Sequence, residues 1–271
     1  MKNVFTVDLE DWFCSHNLKS VIRYESWDQL ESRVEQNATA LLHLLDQNKT
    51  KATFFVLGWI ASRFPGLVQI IQKEGHEIAS HGYAHQQITS QTPEEFERDI
   101  IASVDVLKNI TGEHPKGYRA PAFSITSHTQ WALPILKTHG IQYDSSIYPF
   151  SLHPDYGNAA VPLSQHDHDG LTEIPLSCAT IGKFRIPCSG GAYLRFYPLS
   201  VFTLLAKRVR KQGRPLIFYI HPWEIDRNPP RISLPFTKSL RHYYNNRSTL
   251  HKVEVLLKEF EFTSFQNFMS V

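Results

Sequence analysis

The residues of this chain best suited to chemistry are two histidines four positions apart, His81 and His85, and an upstream acidic cluster, Asp8, Glu10 and Asp11. Two imidazoles at this spacing can lie on one face of a helical turn and bind one cation. A carboxylate from another strand end would complete a ligand set that leaves room for water. That set is typical of catalytic zinc and of related hydrolytic metals. The spacing therefore indicates metal-assisted hydrolysis.

The chain around these residues alternates short apolar runs with stretches of helical period. Residues 52–57 are a continuous apolar run suited to a buried strand, and Thr92, Pro93 and Glu95 begin a helix that ends at Gly112. Further helices are predicted at about 33–47, 65–75, 127–140, 198–213 and 250–260. Further strands are predicted at about 4–7, 77–79, 117–119, 141–144, 171–176, 216–220 and 262–265. This alternation predicts an α/β fold with a mostly parallel sheet and helices outside it.

Five ionisable residues fall at the carboxyl ends of five different predicted strands: Asp8, His81, Arg119, Asp144 and His221. In α/β barrels and open α/β sheets, the active site is assembled from the loops at these strand ends. A role in core packing would not explain why all five share this position. Their placement therefore favours a functional site at this edge of the sheet.

The composition limits the other possible functions. Lys and Arg number 28 against 26 Asp and Glu, so the net charge predicts no nucleic-acid-binding surface. No segment approaches the ~20 apolar residues of a membrane span, and no secretory signal is visible at the N-terminus. The three cysteines are an odd number without a C-x-x-C pair, which fits a reducing compartment. We therefore expect a cytoplasmic protein.

Several short motifs follow one another along nearly the whole chain, at residues 6–13, 81–85, 118–121, 143–146, 190–195, 218–226 and 241–245. In this order they resemble the polysaccharide deacetylases with the NodB homology domain, of the carbohydrate esterase family 4 type. The chain is most similar to the branch found with bacterial exopolysaccharide and exosortase systems. The resemblance implies a distorted (β/α) barrel of seven strands and a single catalytic domain over residues 1–271.

The resemblance also implies how the first two motifs act. Asp8 matches the general base, while Glu10, His81 and His85 match the ligands of a divalent metal, Zn²⁺ first, with Co²⁺, Ni²⁺ or Mn²⁺ as alternatives. Most family members have two adjacent acids, whereas Leu9 separates Asp8 from Glu10 here. In an extended strand these two acids still point to the same face. Asp11 is the alternative ligand if the strand ends earlier.

Two further motifs supply groups that the family uses around the reacting carbonyl. Arg119 resembles the arginine that pairs with the base and keeps it ionised. The backbone N–H of Ala122 falls where the family stabilises the oxyanion. His221 matches the general acid, for which an imidazole of near-neutral pKa is suited. Ile220 resembles the apolar wall that receives the acetyl methyl group.

Asp144 resembles the acid that orients His221, although the tryptophan that often follows it in the family is absent here. The alternative is that Asp144 caps a turn with Ser145 and Ser146. Sugar-binding residues are also predicted, because aromatic faces and a planar cation suit pyranose rings. These are Tyr193, Arg195 and Trp223.

The resemblance predicts a metal-dependent hydrolase that removes N-acetyl groups from amino sugars of a bacterial polysaccharide or its precursor. The long segment 151–171 favours a glycan substrate. One alternative is a metal-dependent hydrolase of small cyclic amides, of the allantoinase or imidase type. Another is an inactive glycan-binding module, which would require the base, a metal ligand or the acid to be missing. None of these is missing from the sequence.

Overall fold

A computed structural model describes residues 2–150, 157–158 and 160–270 and shows a curled sheet with helices on its outer face. The strands are β1 (Asn3–Leu9), β2 (Thr53–Val56), β3 (Glu77–Ser80), β4 (Gly117–Tyr118), β5 (Tyr143–Asp144), β6 (His166–His168), β7 (Leu171–Glu173), β8 (Cys178–Ile181), β9 (Phe184–Pro187), β10 (Ile217–Ile220) and β11 (Phe262–Thr263). The helices are α1 (Val34–Gln47), α2 (Gly58–Arg63), α3 (Pro65–Lys73), α4 (Pro93–Thr111), α5 (Ala132–Thr138), α6 (Gly191–Phe196), α7 (Leu199–Lys211), α8 (Phe236–Tyr243), α9 (Asn246–Glu259) and α10 (Phe265–Met269).

The sheet order confirms the α/β fold class. In the described part of the chain the strands follow one another as β10-β1-β2-β3-β4-β5-β7-β6, and β11 pairs with β1. Every pairing from β10 to β7 is parallel, and only β6 runs antiparallel to its neighbour. The seven parallel strands of this path agree with the seven implied by the resemblance. The sheet is curled but open, so it is a half-barrel. Strands β8 and β9 form a separate hairpin.

The two faces of β1 have different partners, which explains where a site can form. Phe5, Val7 and Leu9 pack in the apolar cluster that includes residues of α1, α3, α7 and α9. The side chains between them point to the concave face, since neighbours in a strand alternate. There Val4 packs with Phe55 and Phe265, so aromatic rings fill the amino-terminal end of the concave face. The carboxyl end is left for polar side chains.

The local signals of the sequence account for the best-predicted helix. Thr92 accepts a hydrogen bond from the N–H of Glu95, and the Glu95 carboxylate accepts one from the N–H of Thr92. Pro93 is the first residue of α4, and Gly112 ends it in the left-handed conformation at φ +74°. This capping box confirms the predicted start and end of the helix.

Other boundaries differ from the prediction. The helix expected from residue 127 begins at Ala132, because Thr129 instead folds the preceding segment into a turn, donating to the carbonyl of Ser124. The segment 151–171, whose length favours a glycan substrate, lies partly outside the described residues. None of the helices in the described part of the chain combines the length and apolar character that crossing a bilayer requires.

Candidate active site

Adjacent parallel strands bring the predicted residues to one edge of the sheet. Asp8 lies near the end of β1, while His81, Arg119 and His221 directly follow β3, β4 and β10. The register pairs Val7 with Ile220, so His221 is level with Asp8. A cavity of about 360 Å³ opens between these strand ends. It is lined by Asp8, Glu10, His81, His85 and His221, with a rim that includes Tyr193, Phe196, Tyr219 and Trp223.

Arg119 fixes the orientation of the Asp8 carboxylate. Its Nη1 lies 2.6 Å from Asp8 Oδ1 and also donates to Thr6 Oγ1 at 2.7 Å. The remaining guanidinium nitrogens donate to the carbonyl and hydroxyl oxygens of Ser145 at 3.0 and 3.1 Å. Both charged side chains are buried, and the guanidinium carbon lies 4.1 Å from the centroid of the Phe55 ring. The second oxygen, Oδ2, is left on the side of His221, whose Nε2 is 3.8 Å away.

Glu10, His81 and His85 form a compact cluster of possible metal ligands. Glu10 Oε1 lies 3.0 Å from His81 Nε2 and 2.9 Å from His85 Nε2. His81 Nδ1 is 2.7 Å from the carbonyl oxygen of Arg119. Because a carbonyl can only accept, Nδ1 carries a proton, and this contact orients the ring with Nε2 towards the cluster.

The spacing of the two histidines predicts a helical turn, but the structure has no helix at these residues. Residues 81–85 form a bend in which Gly82 and His85 both have positive φ, +73° and +53°. Asp99 of α4 stabilises the bend by accepting hydrogen bonds from the backbone N–H groups of Tyr83 and Ala84. The left-handed residue at position 85 turns its ring back towards that of His81, so the rings converge without a helix.

The donor atoms of this cluster fit a divalent cation. One oxygen or nitrogen from each of Glu10, His81 and His85 lies within 4.8 Å of the others, and all three side chains are buried. Burial by itself raises the pKa of the Glu10 carboxyl, but the charges and hydrogen bonds of the surrounding histidines lower it well below its ordinary value. The carboxylate is therefore ionised and can act as a ligand.

Asp11 is placed outside the cluster. Its oxygens accept hydrogen bonds from the backbone N–H groups of Trp12, Arg33 and Val34 and from the hydroxyl of Ser32. Asp11 thus tethers the segment that begins α1, and its lone pairs are directed away from the histidines. Burial raises its pKa, although these hydrogen bonds oppose the effect. Of the two acids considered as a ligand, the geometry favours Glu10.

His221 is held by Glu224 and not by the acid expected from the sequence. His221 Nδ1 lies 2.9 Å from Glu224 Oε2, and Nε2 points to the cavity, 3.7 Å from Glu10 Oε1. Burial lowers the pKa of His221, but Glu10, Glu224 and Asp8 outweigh it and raise the pKa to about 9. The raised pKa favours the protonated form of the ring, which can donate a proton.

The geometry contradicts the orienting role expected for Asp144. Within the residues that the structure describes, no hydrogen bond or ion pair joins it to His221. Asp144 instead accepts from the Ser146 hydroxyl at 2.5 Å and pairs in register with Glu173 of β7. Ser146 in turn accepts from the N–H of Ala120 at 2.7 Å. Of the two serines named in the alternative, Ser146 contacts Asp144, whereas the hydroxyl of Ser145 donates to the carbonyl of Ile174.

Other predicted residues divide into cavity-lining and buried ones. Ala122 lines the cavity and has φ +51°, which is uncommon for a residue other than glycine. Ile220 is not an apolar wall, because its side chain is buried on the helix-covered face, and Tyr219 lines the cavity instead. Strand alternation would have identified Tyr219, two residues before His221. Trp223 is stacked on His221, with ring centroids 5.2 Å apart.

Tyr193 and Arg195 both line the cavity, but the guanidinium of Arg195 is engaged by other protein groups. Arg195 is buried and pairs with Glu224 at 3.0 Å. Its nitrogens also donate to three backbone carbonyls and to Asn246 Oδ1. The guanidinium is therefore saturated, which contradicts a direct contact with sugar. Glu224 was not among the predicted site residues, although it lies in the motif at residues 218–226, three residues after His221.

Comparisons with known proteins find similarity to polysaccharide and peptidoglycan deacetylases. Residues 24–143 match the family model described as polysaccharide deacetylase, and residues 145–270 match a domain of unknown function, DUF3473. A peptidoglycan deacetylase of Helicobacter pylori is 30% identical over 128 residues, which are 47% of this chain and 43% of that protein. A peptidoglycan-N-acetylglucosamine deacetylase of Bacillus cereus is 37% identical over 93 residues, 34% of either chain. The chain thus spans less than half the length of these relatives.

Solved structures support the fold. A Mycobacterium smegmatis protein described as a candidate polysaccharide deacetylase aligns with a TM-score of 0.59 and 19% identity, over 97% of this chain and 87% of that one. A CE4 family pseudoenzyme from Bacillus anthracis aligns with a TM-score of 0.52 and 11% identity, over 98% of this chain and 65% of that one. Because one of these is a pseudoenzyme, the fold does not by itself establish activity, and the argument for function rests on the site.

Proposed function

Because residues 24–143 match the polysaccharide deacetylase family model, we propose that this chain removes N-acetyl groups from the amino sugars of a bacterial polysaccharide or its precursor. One observation carries the proposal: a buried carboxylate, a His₂-carboxylate cluster and a histidine with a raised pKa converge on one cavity. Amide hydrolysis needs a base, an electrophilic centre and an acid for the leaving nitrogen, and these groups can supply all three.

Glu10, His81 and His85 would hold one divalent cation. Two imidazole nitrogens and a carboxylate oxygen are the protein ligands of many catalytic zinc sites, so Zn²⁺ is the first candidate, with Co²⁺, Ni²⁺ or Mn²⁺ as alternatives. Such a cation, when bound, supplies Lewis-acid activation of water and stabilisation of developing negative charge.

The chain's own residues then account for the proton transfers. Asp8, with Oδ1 held by Arg119, uses Oδ2 to accept a proton from the attacking water. The water oxygen bonds to the acetyl carbon, and the backbone N–H of Ala122 is proposed to donate to the oxyanion. His221 Nε2 then gives its proton to the sugar nitrogen as the C–N bond breaks. The products are acetate and the free amine.

The cavity rim supports a sugar substrate. Tyr193 and Phe196 present aromatic surface beside the reacting groups, and aromatic faces suit the apolar faces of pyranose rings. The relatives named above are peptidoglycan deacetylases, so an N-acetylglucosamine-containing glycan is the first substrate to try. Residues of the types needed for a base, a metal site and an acid all line the cavity, which argues against an inactive module.

We also propose that residues 1–271 act as one catalytic unit. The cavity combines residues from three parts of the chain: Asp8 and Glu10 precede the first family match, His81 and His85 lie within it, and His221 lies in the DUF3473 match. Neither matched region therefore contains the proposed machinery alone.

The proposal is tested by measuring amine release from N-acetylated chitooligosaccharides and peptidoglycan fragments, with metal content determined on the same sample. Chelation should abolish amine release and Zn²⁺ or Co²⁺ should restore it. Asp8→Asn should remove most activity, about 10²–10⁴-fold, while the metal stays bound. Failure to release amine from any N-acetylated glycan, together with hydrolysis of hydantoin or allantoin, would support the cyclic-amide alternative and overturn the proposal.

A further inference from the structure

We propose that Glu224, clamped by Arg195, is the positioning residue that directs the proton of His221 to the leaving nitrogen. This inference rests on the proposed function and deepens it. It also assigns a purpose to two motifs that the mechanism leaves unused, residues 190–195 and 241–245. Both converge on the buried Glu224 carboxylate behind the cavity.

The two oxygens of Glu224 have separate partners. Oε2 accepts from the backbone N–H of His221 at 3.1 Å and lies 2.9 Å from His221 Nδ1. Oε1 lies 3.1 Å from Arg195 Nε and 3.0 Å from Nη2. Because the Glu224 carboxylate can only accept, it holds a proton on Nδ1, and the second proton of the charged ring is then on Nε2, the atom that faces the cavity. Glu224 therefore selects which nitrogen delivers the proton.

Arg195 is itself fixed by the backbone around the end of α8. Its Nη1 donates to the carbonyls of His242 and Tyr244 at 3.2 and 2.9 Å, and its Nη2 donates to the carbonyl of Arg241 at 3.0 Å. This arrangement leaves the guanidinium no freedom to follow a substrate. The motif at 241–245 thus acts through its backbone oxygens. They hold the Arg195 guanidinium, which in turn holds the Glu224 carboxylate.

A glycine leaves the space that the carboxylate occupies. A Cβ at Gly191 would lie 2.1 Å from Glu224 Oε2 and 2.5 Å from its carboxyl carbon. The backbone of Gly191 is helical, so a larger residue is excluded by the carboxylate and not by backbone strain. The Glu224 carboxylate therefore fits only because residue 191 has no side chain.

The ring of His221 is also held from its face. Trp223 lies against it at an interplanar angle of 24°, and His242 covers the other side of Trp223 with centroids 4.5 Å apart and an angle of 16°. The stack limits rotation of the imidazole plane, while Glu224 limits its flip. Together they define one direction for the Nε2–H bond.

The inference is tested by comparing two substrates that differ in their need for a proton. The sugar amine of an N-acetylated chitooligosaccharide must be protonated to leave, whereas the 4-nitrophenolate of 4-nitrophenyl acetate leaves as an anion. We expect Glu224→Gln to lower kcat on the amide about 10²-fold and on the ester less than about 5-fold, with KM nearly unchanged. Metal content and circular dichroism should match those of the wild type.

A matched control is Glu97→Gln, which alters the half-buried His139–Glu97 pair, 2.8 Å apart and not part of the cavity lining, and should change neither rate. If Glu224→Gln fails to fold, Gly191→Ala takes its place, because its methyl group displaces Oε2 and should give the same selective loss. Equal loss on both substrates, or no loss on the amide, overturns the inference while leaving the proposed function intact. A wild-type protein without amide turnover overturns both.

Discussion

The Asp8–Arg119 pair links the stability of the fold to the proposed base. Both side chains are buried and their charged atoms are 2.6 Å apart. Removing one member of a buried pair leaves an uncompensated charge and costs about 3–5 kcal/mol. Asp8→Asn keeps an oxygen for Arg119, so we expect about 3 kcal/mol. Arg119→Gln strands the Asp8 anion and loses the contacts to Ser145, so we expect about 5 kcal/mol.

The double variant removes both charges and should therefore cost less than the sum of the single variants. Two independent changes would cost about 8 kcal/mol together, whereas we expect about 5, a coupling of about 3 kcal/mol. Urea unfolding of the four proteins in the presence of a chelator measures this coupling without a contribution from bound metal.

The exposed pair Lys2–Glu261, 3.3 Å apart, provides a control cycle, for which the coupling should stay below about 1 kcal/mol. If the costs of Asp8→Asn and Arg119→Gln add to within about 0.5 kcal/mol, the two charges do not depend on each other. The argument that Arg119 holds the base would then be refuted.

Three further outcomes follow from individual contacts. Glu10→Gln should lose stoichiometric metal, while Asp11→Asn should keep it and lose about 1 kcal/mol of stability, because only Glu10 faces the histidines. His76 accepts from the N–H of Ala52, and burial, followed by the charge of Lys51, lowers its pKa from 6.5 to about 4. The neutral ring therefore stabilises the fold above pH 6.5, and about 2 kcal/mol should be lost between pH 7.5 and 5, a loss absent from His76→Asn. Thr92→Ala should cost about 1 kcal/mol through its capping box and leave activity unchanged.

Each of these outcomes has a contrary result. If Glu10→Gln retains metal and Asp11→Asn loses it, Asp11 and not Glu10 is the metal ligand. The same acid sensitivity in His76→Asn as in the wild type would show that another group titrates, and His128→Asn, at an exposed histidine, is the control. If Thr92→Ala unfolds at the same urea concentration as the wild type, the capping box does not stabilise α4.

The sequence predicts best what depends on neighbouring residues. The capping box at Thr92, the glycine end at Gly112 and the positions of Asp8 and His221 at strand ends follow from local signals and were found by them. The convergence of these strand ends is also predictable, since parallel strands carry their carboxyl ends to one edge. The α/β class and the outline of the site need no more than this.

The sequence does not show which of two acids, Asp144 or Glu224, contacts His221. Asp144 and Glu224 are both near strand ends. The structure shows that Asp144 is engaged by Ser146, two residues away, and the pairing of β5 with β7 sets it beside Glu173. Arg195 fails for a related reason, because burial of a cation depends on carbonyls about 46 or more residues away in the chain. Neither contact leaves a periodic signal.

The proposed acid and base meet only because the sheet joins distant parts of the chain. β10 pairs with β1 in parallel, with Val7 opposite Ile220, and this register sets His221 level with Asp8. A slip of one residue would turn the imidazole to the helix-covered face, since side chains alternate along a strand. Glu224 follows the same strand end, so its position and its ion pair with Arg195 depend on the same register. The region matched by DUF3473 is thus part of the proposed active site, and its pairing with β1 decides whether the acid and the base can act on one substrate.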